Sequence, residues 1–146
     1  MKTVATVAAM LVLMTASMQA QDKDNQSYFS DPAIYMSANI PAALKAFESC
    51  LSVQNEGVQE SAMAHLAMLK LMVPSVEASE ILHRLEGLST TATAPGTRFK
   101  AYIASQVYQY PEIFASERAA KYNDGDELFN ALAARLQSSL LSYKGH

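Results

Sequence analysis

The residues best equipped for chemistry are three histidines, one cysteine and a run of acids near the C-terminal end. Glu80-Ile81-Leu82-His83 sets a carboxylate and an imidazole at i and i+3, on one face of a helix. That pair is a fragment of a carboxylate-bridged dimetal centre, which uses the motif twice and adds two more carboxylates. His65, the other internal histidine, has Ala62 where a second glutamate would stand. A solvated helix face is therefore expected at Glu80 and His83. Asn123-Asp124-Gly125-Asp126-Glu127 is acidic enough to suggest calcium, but it lacks the ligand register with glycine in sixth place. Asp124 and Glu127 have capping-box spacing, and acids at a helix start are favoured by the helix dipole. A cap is the expected role.

His65, between Ala64 and Leu66, reads as a buried neutral imidazole bonded to a backbone carbonyl. Cys50 could act as a nucleophile with His65 or His83 as base. Nothing nearby in sequence would lower its pKa, so a shielded small hydrophobe is expected. The methionines are not clustered as Met-x-x-Met and read as core filler. No Gly-x-Ser-x-Gly, His-Glu-x-x-His, phosphate loop or dinucleotide fingerprint is present. The expectation is a protein without catalytic residues, metal or cofactor.

Of the 146 residues, 50% are apolar and 17% charged, a balance that favours a folded chain over a disordered one. Residues 1–20 have the layout of a secretory signal peptide. Lys2 is followed by the uncharged run Val4 to Ala16, then by small residues up to Ala20 and the polar Gln21-Asp22-Lys23-Asp24-Asn25. The apolar run is short of the ~20 residues a membrane span requires. Cleavage after Ala20 is expected, with Ser17 as the fallback site, and the short positive segment suggests a bacterial signal leading to periplasm or medium. The charged residues lost are Lys2 alone, so the remainder has 10 basic and 14 acidic residues and a net charge of −4. Its basic residues are scattered, which argues against nucleic acid as a partner. With Cys50 as the one cysteine, no internal disulfide can form, and the apolar core must hold the fold.

Residues 21–38 read as a polar N-terminal arm with isolated aromatics, Tyr28, Phe29 and Tyr35, and residues 39–146 as a single helical domain. Asn39-Ile40-Pro41 is a helix start, with Leu44, Phe47 and Leu51 as a stripe running to about Gln54. A second helix is expected from Val58 to about Val73, apolar on two faces and so buried between neighbours. Ser75 should cap a third, ending near Gly87 before a threonine-rich loop. Pro95-Gly96 opens a fourth, Pro111 breaks it, and a short helix spans Glu112 to Lys121. The last carries Phe129, Leu132, Leu136, Leu140 and Tyr143 on one stripe. No segment alternates with period two. The fold class is all-α, with five to six helices in antiparallel hairpins. Val58, Ala62, Leu66, Leu69, Leu85, Phe99, Ile103, Leu132 and Leu136 are the expected core.

Two segments repeat. Val58-Gln59-Glu60-Ser61-Ala62 and Thr97-Arg98-Phe99-Lys100-Ala101 align at an offset of 39, each after a glycine, Gly57 and Gly96. Pro74 and Pro111 close the two helices, and Leu51 and Leu88 end those before them. Over roughly residues 40–122 this spacing resembles the HEAT family of helical-hairpin repeats, although Gln59 stands where that family usually has arginine and Ala94 occupies the second turn. The chain as a whole also resembles small exported bacterial proteins, a likeness that places no residue. The HEAT resemblance implies a short right-handed array, or else an irregular bundle, with second helices lining a concave face. Met63, Ala67 and Lys70 would then lie beside Tyr102, Gln106 and Gln109, with Arg98 at the edge, as a partner-binding strip. The N-terminal arm is the competing occupant of that strip. The expected function is an exported, non-enzymatic module binding a protein or peptide. The alternative is a helical carrier holding an apolar ligand between its helices.

Overall fold

A computed structural model describes residues 39–143 as an all-α protein of five α-helices and one 3-10 helix, with no strand among the described residues. The signal segment (1–20), the polar arm (21–38) and the terminal His146 lie outside the described residues.

Helix α1 (Ile40–Leu51) starts as its sequence dictates: the Asn39 side chain accepts from the Ala42 N–H at 3.3 Å, and Pro41 occupies the first turn. It stops at Leu51 rather than Gln54, in a turn where Ser52 N–H donates to the Ser49 carbonyl. Helix α2 (Glu56–Met72) begins two residues before the expected Val58, because Asn55 is its N-cap and accepts from the Val58 N–H at 3.1 Å. What reads in sequence as an interruption, Asn55-Glu56-Gly57, is a helix start. From Ala62 to Leu71 every residue except His65 is buried, as expected for a helix enclosed by neighbours.

Helix α3 (Ser79–Thr91) departs most from expectation at both ends. Ser75 does not cap it; residues 73–78 are a connection held down by Lys70, whose Nζ donates to the Pro74 carbonyl at 2.8 Å and the Val76 carbonyl at 2.7 Å. The helix also runs past Gly87 through the threonines. Their hydroxyls turn back on the helix, Thr90 Oγ1 and Thr91 Oγ1 both donating to the Gly87 carbonyl at 2.9 Å. The loop that remains, Ala92 to Ala94, is clamped by Arg98, whose Nη1 donates to the Ala92 and Thr93 carbonyls.

Helix α4 (Pro95–Gln109) is followed by a 3-10 helix (Pro111–Ala119) in place of the expected short α-helix, with Phe114 as its buried anchor. Helix α5 (Gly125–Tyr143) carries the expected cap: Asp124 Oδ1 accepts the Glu127 N–H at 2.8 Å. The Glu127 carboxylate reaches back to the N–H and amide of Asn123 rather than to Asp124.

The helices form two hairpins, α1/α2 and α3/α4, laid side by side so that α1 meets α3 and α2 meets α4. The 3-10 helix and α5 cross over α2 and α4. Met63, Leu66, Leu85, Val107, Phe114, Phe129 and Leu132 form the centre of the resulting core. Two of the nine expected core residues are not buried: Val58 and Phe99 are exposed. Val58 sits in the first turn of α2 and Phe99 on an uncovered side of α4. Cys50 is only partly buried against the core, less shielded than its sequence suggests.

Candidate functional site

The contacts between α2 and α4 decide what the expected strip can do. On α2, Glu60, Met63, Ala67 and Lys70 follow at i, i+3, i+7 and i+10 and share one ridge. Both ends of the ridge engage α4. Glu60 accepts from Thr97 Oγ1 at 2.9 Å and from Lys100 Nζ at 2.6 Å. Lys70 Nζ stands 5.6 Å from the centroid of the Tyr108 ring, and the Tyr108 hydroxyl donates to the Leu66 carbonyl at 3.0 Å. Met63 and Ala67, between those ends, are 0% exposed. The surface role expected for these two is corrected: they lie beneath α4, where no partner reaches them. Lys70 is also spent, being 8% exposed and holding two loop carbonyls. Burial lowers the pKa of its ammonium and the Glu77 carboxylate partly restores it, while burial raises that of the Tyr108 phenol.

The same ridge, advanced by 39 residues, falls on α4 as Phe99, Tyr102, Gln106 and Gln109. Here it is open. Phe99 is 43% and Tyr102 46% exposed, Gln109 is exposed and Gln106 half-buried, with exposed Tyr110 at the end of the helix. Gln109 Nε2 donates to Glu86 Oε1 at 2.7 Å, linking the edge of this face to α3. Helix α4 thus leaves bare the face that α2 uses to seat α4. The expected strip is therefore split: Met63, Ala67 and Lys70 are interior, Arg98 is committed to its loop, and Tyr102, Gln106 and Gln109 remain at the surface. Phe99 and Tyr110 complete this patch. The signal for Phe99 is the repeat itself, since it aligns with Glu60, a position that reaches a neighbouring hairpin.

A second feature is a groove of about 740 Å³ between the starts of α1 and α3. Leu44, Val76, Ile81, Leu82 and Tyr108 supply apolar lining, and Lys45, Glu77 and Glu80 stand exposed around it. It is open to solvent, unlike the enclosed chamber in which a carrier would hold an apolar ligand.

The remaining chemistry-bearing residues have structural settings. Glu80 and His83 are exposed on α3. His65 is half-buried and stacks on Phe47, and burial lowers its pKa. Lys100 bridges Glu60 and Asp126, both at 2.6 Å. Burial alone would lower its pKa, but the hydrogen bonds and charges of Asp126 and Glu60 outweigh that and raise it. Among the described residues no three side chains of His, Cys, Asp or Glu converge as a metal-binding set, and no helix is long and apolar enough to cross a membrane. Comparison with protein families, curated proteins and solved structures finds no match to this chain.

Proposed function

We propose that this is an exported, non-enzymatic interaction module that docks a helix-bearing protein partner on the open face of α4. The single observation that carries the reading is the asymmetry between the two second helices. Residues on the α2 ridge are covered by a following hairpin, and their counterparts Phe99, Tyr102, Gln106 and Gln109 have no such cover among the described residues. The patch has aromatic centre residues and polar amides, with no charged group among those four, which is the composition of an interface core. The stacking of hairpin on hairpin supports the HEAT-like reading, in which an array end is a natural place for another helical element to add. Residues 1–20 act as the signal and are removed after Ala20, placing the module in the periplasm or medium.

The test is a photo-crosslinking amino acid at position 102, compared with position 45, in the native host. A discrete adduct at 102 that Phe99→Glu abolishes supports the docking face. Adducts that are absent, or indifferent to position and to Phe99→Glu, overturn it. Mass spectrometry of exported protein should give Gln21 as the first residue; an intact Met1 there overturns the export half independently.

A further inference from the structure

Most of the large apolar side chains exposed among the described residues fall in two places. One is the open face of α4, with Phe99, Tyr102 and Tyr110. The other is the end of α5, where Leu140 is 59% and Tyr143 88% exposed. These two continue the stripe that Phe129, Leu132 and Leu136 bury in the core, so a seating ridge outruns the body it seats on. No residue after Leu136 is buried among the described residues. Leu141 lies off this stripe, about 140° around the helix from Leu136. Two contacts fix how α5 runs. Asp126, in its first turn, pairs with Lys100 near the start of α4 at 2.6 Å, and Arg135 Nε donates at 2.9 Å to the Ile113 carbonyl, just past the end of α4. The helices therefore run alongside each other in the same sense, and residues 136–143 project about 12 Å beyond.

Resting on the docking face proposed for α4, we infer that its partner is a second copy of this chain, each copy laying Leu140 and Tyr143 of α5 on the other's Phe99, Tyr102 and Tyr110 about a two-fold axis. Three properties favour a second copy over another protein. The lengths match, an overhang of about 12 Å meeting an open strip of about 16 Å from Phe99 to Tyr110. The charges permit it. Residues 136–143 contain no charged side chain, and neither do Phe99, Tyr102, Gln106 and Gln109, so pairing two acidic chains here brings no like charges together. The area suffices only when both patches are used. With an aromatic side chain presenting ~150–250 Å², their exposures amount to roughly 600–700 Å² per copy. Reciprocal burial then reaches about 1,200–1,400 Å², inside the ~1,200–2,000 Å² of specific interfaces, whereas one-sided pairing buries about half of that. Each α4 face is thus incomplete without the other copy's helix, and the reciprocal arrangement closes at two copies instead of growing into a filament. An interface at the small end of this range holds at high concentration and parts in dilute solution.

Sedimentation velocity of the protein recovered from its host, from roughly 1 μM to 1 mM, tests the pairing. The expected result is a monomer–dimer equilibrium with nothing larger. Phe99→Glu and Leu140→Glu should each weaken the dimer at least about tenfold, as the loss of a central apolar contact does. Leu141→Glu, off the stripe, should change it by less than about twofold. All three positions are exposed, so the variants keep the fold, which circular dichroism and thermal midpoints verify. A monomer at every concentration, a ladder of species beyond the dimer, or a dimer indifferent to either Phe99→Glu or Leu140→Glu overturns the inference. Its failure is distinct from failure of the docking face itself. A monomer in which position 102 still crosslinks to a different protein in the host leaves the α4 face standing and removes only the second copy as its occupant.

Discussion

The imidazole of His65 lies flat against the ring of Phe47, with centroids 5.7 Å apart and planes 11° from parallel, joining α2 to α1. Partial burial favours the neutral form of this ring. Protonation would place a charge in a partly desolvated position, and that cost lowers the pKa of His65 below its ordinary 6.5.

This fixes the sign of a pH effect. The unfolded chain takes up the His65 proton near its ordinary pKa while the folded protein resists it, so the protein loses stability as pH falls below that value. Urea midpoints measured from about pH 7.5 down to about pH 5.5 should decline, and His65→Gln should flatten that decline. An identical slope in the variant would show that the loss originates elsewhere.

Gly87 gives a prediction of the opposite kind. It lies inside α3, and nothing comes within 4 Å of where a Cβ would stand. Gly87→Ala should therefore stabilise the protein by about 0.5–1 kcal/mol through helix propensity alone, read as a raised thermal midpoint.

Leu66 and Phe99 should part company on truncation. Leu66 is fully buried in α2, so Leu66→Ala should cost ~2–5 kcal/mol in chemical denaturation. Phe99 is 43% exposed, and Phe99→Ala should cost under about 1 kcal/mol. Similar costs for the two would mean the α4 face is covered in solution.

Lys100 holds α2, α4 and α5 together through Glu60 and Asp126. Its two carboxylates are not equivalent: the Asp126 side chain is 75% exposed, whereas that of Glu60 is 27% exposed. Asp126→Asn should cost less than about 0.5 kcal/mol, as exposed ion pairs do. Lys100→Met should cost more, about 1–2 kcal/mol, because Glu60 would keep only the Thr97 hydroxyl as its α4 partner.

Periodicity in the sequence marks the interior well where a stripe runs through the middle of a helix. Leu66, Leu69, Leu85, Ile103, Leu132 and Leu136 are all buried as that pattern requires. It fails at Val58 and Phe99 because both sit near a helix start, where apolar spacing says nothing about the element that will lie opposite. Helix ends are hard to read where a side chain serves backbone: Asn55 begins a helix across a glycine that reads as a break, and the threonines after Gly87 prolong a helix they seem to end. The repeat offset locates both second helices, yet it cannot tell which one is covered, since that depends on how the 3-10 helix and α5 pack. The groove has no signature in sequence, for it is made by residues from α1, the end of α2, the 73–78 connection, α3 and α4.

Helix α2 touches α1, α4, the 3-10 helix and α5, so its apolar faces are covered only when all four are in place. Because synthesis runs from the N-terminus, that segment is complete well before its last two neighbours exist. A nascent chain halted anywhere short of α5 therefore displays an unfinished, strongly apolar helix, a ready ligand for chaperones and a ready substrate for proteases. Products truncated before α5 should be cleared rather than accumulate as partly working forms.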